Sequence, residues 1–231
     1  MDHRAKRIGL IGGTSWESTL EYYRLINRRS AAVLGGDHTA EILLWSLDFG
    51  EVLALKRRGA FAALARQFRD AACGLVEQGA ELLAICSNAG HQRADDIAGA
   101  VPVPLVHIVD AVGAELRRRG VSEVGLLGTL DTMQGGFYRD KLRRDWTIEV
   151  CVPAPGVQAR VHAIAVEEVA RGVRAEGSRR ELAAIIDGLC PAGVVLGCTE
   201  LPLLVAPQDA RVPVFDSLAL HVDAIVAHAI G

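Results

Sequence analysis

Two apolar runs in this chain stop at a cysteine. LAICSNAGH (83–91) reaches Cys86 and turns at once to Ser87, Asn88, Ala89, Gly90 and His91. VVLGCTELP (194–202) does the same at Cys198, followed by Thr199 and Glu200. A thiol has a reference pKa of about 8.5, which a polar or cationic setting can bring near neutrality. A cysteine at the open end of a buried strand can therefore take up or deliver a proton. The hydroxyl and amide residues beside it can hold an anion. A second pair of strand ends offers similar groups. Gly12, Gly13, Thr14 and Ser15 follow RIGLI, and Thr129 to Thr132 follow EVGLLG.

The other chemistry-bearing residues form no familiar set. Cys73, Cys151 and Cys190 complete an odd count of five, without CxxC spacing, so neither a disulfide framework nor a zinc site is expected. They read as small core residues. No HExxH or other metal spacing occurs, and no metal is expected. Gly9-Leu-Ile-Gly12-Gly13 is not GxGxxG, and no acidic residue follows it at about 20 positions, which argues against a dinucleotide. His91, His107, His221 and His228 are scattered. Lys56-Arg57-Arg58 reads as a solvated helix start or, equally, as a holder of a substrate's second carboxylate.

Strands and helices must position these residues. Helical periodicity runs through 17–34, about 59–78, 137–145, 157–172 and 178–190. Strands are read at 7–12, 41–49, 81–86, 123–128, 147–153 and 193–198. This alternation is that of parallel βαβ units. The strand–glycine turn, the cysteine strand and a Val-Pro strand (103–108 and 212–217) each recur after about 110 residues, which points to internal duplication. The expected fold is α/β with two pseudo-symmetric domains, each a parallel sheet flanked by helices. The expected domains are 1–103 plus 211–231, and 104–210. Ligands collect beyond the carboxyl ends of parallel strands, so a cleft between the domains would carry Cys86 or Ser87 on one wall and Cys198 on the other. Thr14 with Glu17, and Asp131 with Gln134, have capping-box spacing. Asn88 is expected to cap a helix over 91–97. Four helix starts would then offer N–H groups to a small carboxylate.

Composition agrees. The 231 residues are 50% hydrophobic and 5% aromatic, with a net charge of −3. That balance suits buried parallel strands. No basic block suggests nucleic acid, no apolar run approaches the ~18 residues of a membrane helix, and the basic start MDHRAKR leads into too short an apolar run for a signal segment. A soluble cytoplasmic protein is expected.

GLIGGTSWEST (9–19), SLDF (46–49), CSNAGH (86–91), GLLGT with Thr132-Met133, FYR (137–139) and LGCTELPLL (196–204) together resemble the aspartate/glutamate racemase family over nearly the whole length. The resemblance implies an enzyme, an isomerase that inverts the Cα of an amino acid, aspartate or glutamate, by two-base proton transfer. It implies no cofactor (no pyridoxal phosphate), an interdomain active site and a homodimer. Carried over by position, it makes Cys198 one acid/base, the one that would attack the L-enantiomer. Gly12, Gly13, Thr14, Asn88, Ala89, Thr129, Thr132, Thr199 and Glu200 are then the substrate-binding positions; for an acidic substrate, Lys56 or Arg57 is expected on the distal carboxylate.

The first cysteine motif departs from the family. The catalytic cysteine of two-thiol members stands immediately before the Asn. Here Ser87 occupies that place and Cys86 lies one residue earlier, as in an atypical branch with a hydroxyl there. The usual Thr after the Asn is Ala89, which removes a hydroxyl expected on the substrate carboxylate. The second acid/base is Ser87 or Cys86. Two other readings stay open: a single-cysteine decarboxylase of a malonate-type substrate, and a catalytically weak amino-acid-binding protein.

Overall fold

A computed structural model describes residues 4–231; residues 1–3 of the basic start lie outside the described residues. The chain forms two compact units, residues 1–107 with 221–231, and residues 108–220. The first holds β1 (Ile8–Gly12), α1 (Trp16–Leu34), β2 (Ile42–Ser46), α2 (Phe49–Arg57), α3 (Phe61–Glu77), β3 (Leu82–Ile85), a 3₁₀ turn (Ala89–Arg93), α4 (Ala94–Ala98) and β4 (Leu105–Val106). The second holds α5 (Ile108–Arg118), β5 (Glu123–Gly128), α6 (Leu130–Gln134), α7 (Phe137–Trp146), β6 (Glu149–Cys151), α8 (Pro155–Ala163), α9 (Glu176–Leu189), β7 (Val194–Gly197) and β8 (Val214–Asp216). The last helix, α10 (Ser217–Ile230), carries the chain from the second unit to the first.

Each unit has one four-stranded sheet, and all pairings are parallel. The orders are β2-β1-β3-β4 and β6-β5-β7-β8. The second order repeats the first strand for strand, as the recurring landmarks required. The central strands are apolar and fully buried, because helices cover both faces. In α3, Leu64, Phe68, Ala71, Ala72 and Leu75 recur at helical spacing and pack on Ile11, Leu83 and Ile85 of the sheet. The second unit is built likewise around Leu127, Leu196, Leu182 and Ile186. Among the described residues no helix is long and apolar enough to cross a membrane.

Three details differ from the sequence reading. The strand expected over 41–49 stops at Ser46, and α2 follows with Asp48 as its N-cap, accepting from Glu51 N at 2.8 Å. Lys56 and Arg57 therefore end a helix rather than start one. The unit boundaries fall at 107/108 and 220/221 rather than at 103/104 and 210/211. β4 pairs with β3, and β8 pairs with β7, so each Val-Pro strand completes the sheet that precedes it. Only the part of 212–231 beyond Leu220 joins the first unit.

Gly113 on α5 shows how tightly helices pack in the second unit. A Cβ there would lie 2.4 to 2.6 Å from three atoms of the Trp146 indole. That ring is pinned by its Nε1–H, which donates to Asp110 Oδ1 at 3.0 Å, and by the Arg117 guanidinium 4.6 Å above it. Overpacking costs about 1–3 kcal/mol, against at most about 1 kcal/mol of helix propensity gained on replacing glycine. Gly113→Ala should therefore lower the midpoint of chemical denaturation; an unchanged or higher midpoint would show that the indole shifts freely.

Candidate active site

In the second unit the site grows from two glycines. Gly128 ends β5, Gly197 ends β7, and the two are register partners. A Cβ on Gly128 would lie 2.8 Å from Gly197 O and 3.1 Å from Thr132 Cβ; one on Gly197 would lie 3.0 Å from Thr132 Cγ2. Thr132 thus occupies the space that two missing side chains leave, and it is fully buried. Its Oγ1 is 3.2 Å from Thr129 Oγ1. Thr129 is the N-cap of the five-residue α6, so the cap expected at Asp131 lies two residues earlier and Asp131 falls in the first turn. His162 of α8 reaches the same turn and accepts from Leu130 N at 3.4 Å.

Cys198 follows Gly197 directly and is 6% exposed. Its thiol donates to Glu200 Oε2 at 2.8 Å, and the Thr199 hydroxyl donates to the same oxygen at 2.9 Å. Burial first, and then the Glu200 carboxylate, push the Cys198 thiol well above its ordinary range. The backbone N–H groups of Glu200 and Leu201 act in the opposite direction. The thiol is therefore held protonated against a carboxylate, with amide donors ready for the thiolate. The helix after it is only a three-residue 3₁₀ turn, Leu201–Leu203.

In the first unit β1 ends at Gly12, and Thr19 of α1 lies over it: a Cβ on Gly12 would meet Thr19 Cγ2 at 2.5 Å. Gly13 has φ +84°, and a Cβ there would lie 2.0 Å from Leu47 O, so this turn admits only glycine. Gly13 N donates to Thr19 Oγ1 at 3.0 Å. The expected capping box is shifted by one. Ser15, not Thr14, caps α1, accepting from Ser18 N at 3.3 Å and donating to Glu17 Oε2 at 3.0 Å. Freed from capping, the Thr14 hydroxyl is buried with no hydrogen-bond partner among the described residues. A buried hydroxyl of that kind suits a ligand.

The 86–91 turn separates the two candidates for the second acid/base. Cys86 is sealed in the core, and burial alone drives its thiol far above the usual range. Ser87 is half-buried, and its Oγ accepts from Gly90 N at 3.1 Å. Ser87 thus does the capping expected of Asn88, whose side chain makes no capping bond. Asn88 is buried and opens the 3₁₀ turn in which Ala89 stands first. His91 Nδ1 lies 2.7 Å from the Ser87 carbonyl, which can only accept, so that nitrogen carries the proton. Lys56 and Arg57 lie about two turns along α2 from its N-cap Asp48.

Of four expected helix starts, only α1 is a long helix; the others are the short α6 and two 3₁₀ turns. The supply of donors is therefore local backbone N–H rather than four macrodipoles. Sequence reasoning also missed His162 and a histidine cluster behind Ser87. His91 packs at a tilt against His107 and edge-on against His221, with centroids 4.7 and 5.2 Å apart. Tyr22 OH lies 2.8 Å from His221 Nδ1, and His221 Nε2 lies 2.8 Å from Val106 O. Burial, then His91, hold His221 well below its ordinary range, so it is neutral. Positions 91, 107 and 221 meet only through the fold, and nothing in their spacing signals it.

A family profile described as Asp/Glu/Hydantoin racemase matches residues 11–225. The chain belongs to this family. A candidate Asp/Glu racemase from Yersinia pestis is 42% identical, covering 98% of this chain and 100% of that one, with a TM-score of 0.92. An aspartate racemase homologue from Pyrococcus horikoshii is 35% identical over 97% and 99%, with a TM-score of 0.86. The glutamate racemase of Thermus thermophilus is 27% identical over 169 residues, 72% of this chain. The match spans 57% to 62% of the length of the glutamate racemases it resembles.

For this racemase-family chain the Cys198–Glu200 contact makes a direct prediction. The carboxylate raises the thiol, so removing its charge lowers the Cys198 pKa. Glu200→Gln should speed alkylation of Cys198 by iodoacetamide near pH 8, followed by peptide mass spectrometry. Equal or slower alkylation would mean that burial alone controls the thiol.

Proposed function

We propose that this protein is an amino-acid racemase that inverts the Cα of aspartate or glutamate without pyridoxal phosphate, with Cys198 as one acid/base and Ser87 as the other. The observation that carries the reading is Cys198 at the end of a buried strand, hydrogen-bonded to Glu200 and backed by two amide donors. Inversion without a cofactor needs one group to remove the α-proton and another to return it from the opposite face. For Cys198 to act as base, its proton passes to Glu200, which already accepts it. The resulting thiolate is held by the Glu200 and Leu201 amides. Charge building on the substrate carboxylate needs donors. Thr14, whose hydroxyl is buried and uncommitted, the Gly12–Gly13 turn, Asn88, Thr129, Thr132 and Thr199 are proposed for that task. Ala89 contributes no hydroxyl.

Ser87 replaces a thiol with a much weaker acid. Its Oγ already accepts from Gly90 N, which favours release of its proton over uptake of another. Delivery of a proton from this side is proposed as the harder half-reaction. Starting from the L-enantiomer in D₂O, recovered substrate should gain deuterium faster than D-product appears. Starting from D, exchange into recovered substrate should be slow. Cys198→Ala should lower α-proton exchange by about 10²–10⁴-fold, the usual weight of general acid–base catalysis. Ser87→Cys should raise turnover and even out the two exchange patterns. Exchange at the wild-type rate in Cys198→Ala would remove the assignment, and a dead Cys86→Ala beside a fully active Ser87→Ala would transfer the second role to Cys86.

One observation favours a second reading. With Cys86 sealed in the core, Cys198 is, among the described residues, the one thiol that directly follows a central strand and keeps some exposure, as a one-cysteine decarboxylase of a malonate-type substrate requires. Carbon dioxide release from a disubstituted malonate, without deuterium exchange into any of a panel of L- and D-amino acids, would favour that reading over racemisation.

A further inference from the structure

Cys151 and Cys190 play no part in the chemistry above, yet the fold brings them together from 39 positions apart. Cys151 ends β6 and pairs in register with Gly125 of β5. Register partners in a parallel pair face the same side. At Gly125 that side has no side chain, and a Cβ there would lie 2.8 Å from Leu189 Cδ2. The missing side chain lets the end of α9 settle on the sheet beside Cys151. Cys151 Sγ lies 3.6 Å from Val124 O and 3.7 Å from Leu189 O, and Cys190, the next residue, has its Sγ 3.7 Å from Glu123 O. The two thiols sit against the carbonyls of consecutive residues of one strand, and Cys151 Sγ touches the residue that precedes Cys190. Both are free, Cys190 buried and Cys151 partly open to solvent.

We infer that Cys151 and Cys190 form a dithiol site that a hydroperoxide closes, at alkaline pH, to a disulfide between the edge strand β6 and the end of α9. The Cys151 thiolate attacks one oxygen of a hydroperoxide. The O–O bond breaks, an S–O bond forms, and the leaving oxygen takes a proton. The Cys190 sulfur then attacks the Cys151 sulfur; the S–O bond breaks, and the oxygen leaves as water with the Cys190 proton. The sulfur pair loses two electrons, and hydrogen peroxide becomes two waters. Cys151 leads because Cys190 is buried. The site lies at the first three residues of β5, whereas Thr129 and Cys198 follow the last residues of β5 and β7. It is therefore separate from the proposed reaction and stands or falls without it.

The full chain treated with dilute hydrogen peroxide, then digested without reduction, should yield a linked peptide pair carrying Cys151 and Cys190, which dithiothreitol separates. Wild-type protein should leave little sulfenic acid for dimedone to trap. Cys190→Ala should give no linked pair and a dimedone adduct on Cys151. Burial, and then the neighbouring Cys190, push the Cys151 thiol up to about 11. It is protonated at neutral pH, so the linking rate should rise about tenfold per pH unit between about pH 7 and 9. A lasting adduct on Cys151 in the wild type, or a link from either residue to Cys73, Cys86 or Cys198, would overturn the inference. So would a linking rate that does not change with pH.

Discussion

The candidate site depends on how closely β5 and β7 approach at their ends. Gly128 and Gly197 face each other without side chains, and Thr132 fills the space over both. Any larger residue at 128 would meet the Gly197 carbonyl, so the strands would part and Thr132 would lose its seat. Cys198 is the first residue beyond β7. Its backbone is therefore anchored on one side by close strand packing, which is stiff. The first unit uses the same device once, with Thr19 over Gly12. In both units a glycine ends a central strand, a threonine from the following helix covers it, and hydroxyl-bearing residues follow in the turn beyond.

The topology was legible because parallel strands buried on both faces leave continuous apolar runs, and the two sheets repeat the same order of runs. The place of Cys198 directly after a buried strand was legible because the apolar run stops there. The caps were misplaced by one or two residues. Hydroxyls are dense at these turns, and Thr14, Ser15 and Ser18 offer several registers of similar local energy; Gly13, pressed against Leu47, selects Ser15. α2 was missed because Phe49–Arg57 has few buried positions, only Val52 being fully enclosed, so its periodicity is faint. The histidine cluster was invisible for a different reason. It joins β4, the 86–91 turn and the last helix, and only tertiary structure makes such a contact.

The two strand ends are alike in backbone and unlike in chemistry. At 198 a thiol faces a carboxylate and amide donors. At 87 a hydroxyl accepts from Gly90 N, while the carbonyl of the same residue is engaged by His91. Gly90 is confined in turn: a Cβ would lie 2.8 Å from Ile85 Cγ2 and 3.2 Å from Ser87 Cβ. The turn that carries Ser87 is thus held by Gly90, by His91 and by the imidazoles packed at an angle against His91. Such a scaffold spends few of the side chain's degrees of freedom on reaching its place.

That rigidity bears on how an unequal pair could serve the proposed inversion. Enantiomers have equal free energy in solution, so kcat/KM is the same in both directions whatever the two groups are. A weak acid on one face cannot bias the outcome; it can only slow both directions together, because every turnover crosses the same transition states. What it changes is partitioning. In the proposed inversion, a carbanion formed by Cys198 would either recover its proton from Cys198 or take one from Ser87, and the ratio would follow their acidities and their placement. A hydroxyl loses on acidity. It would compete only through placement, and the close-packed turn from Ser87 to His91 is the part of the first unit proposed to supply it.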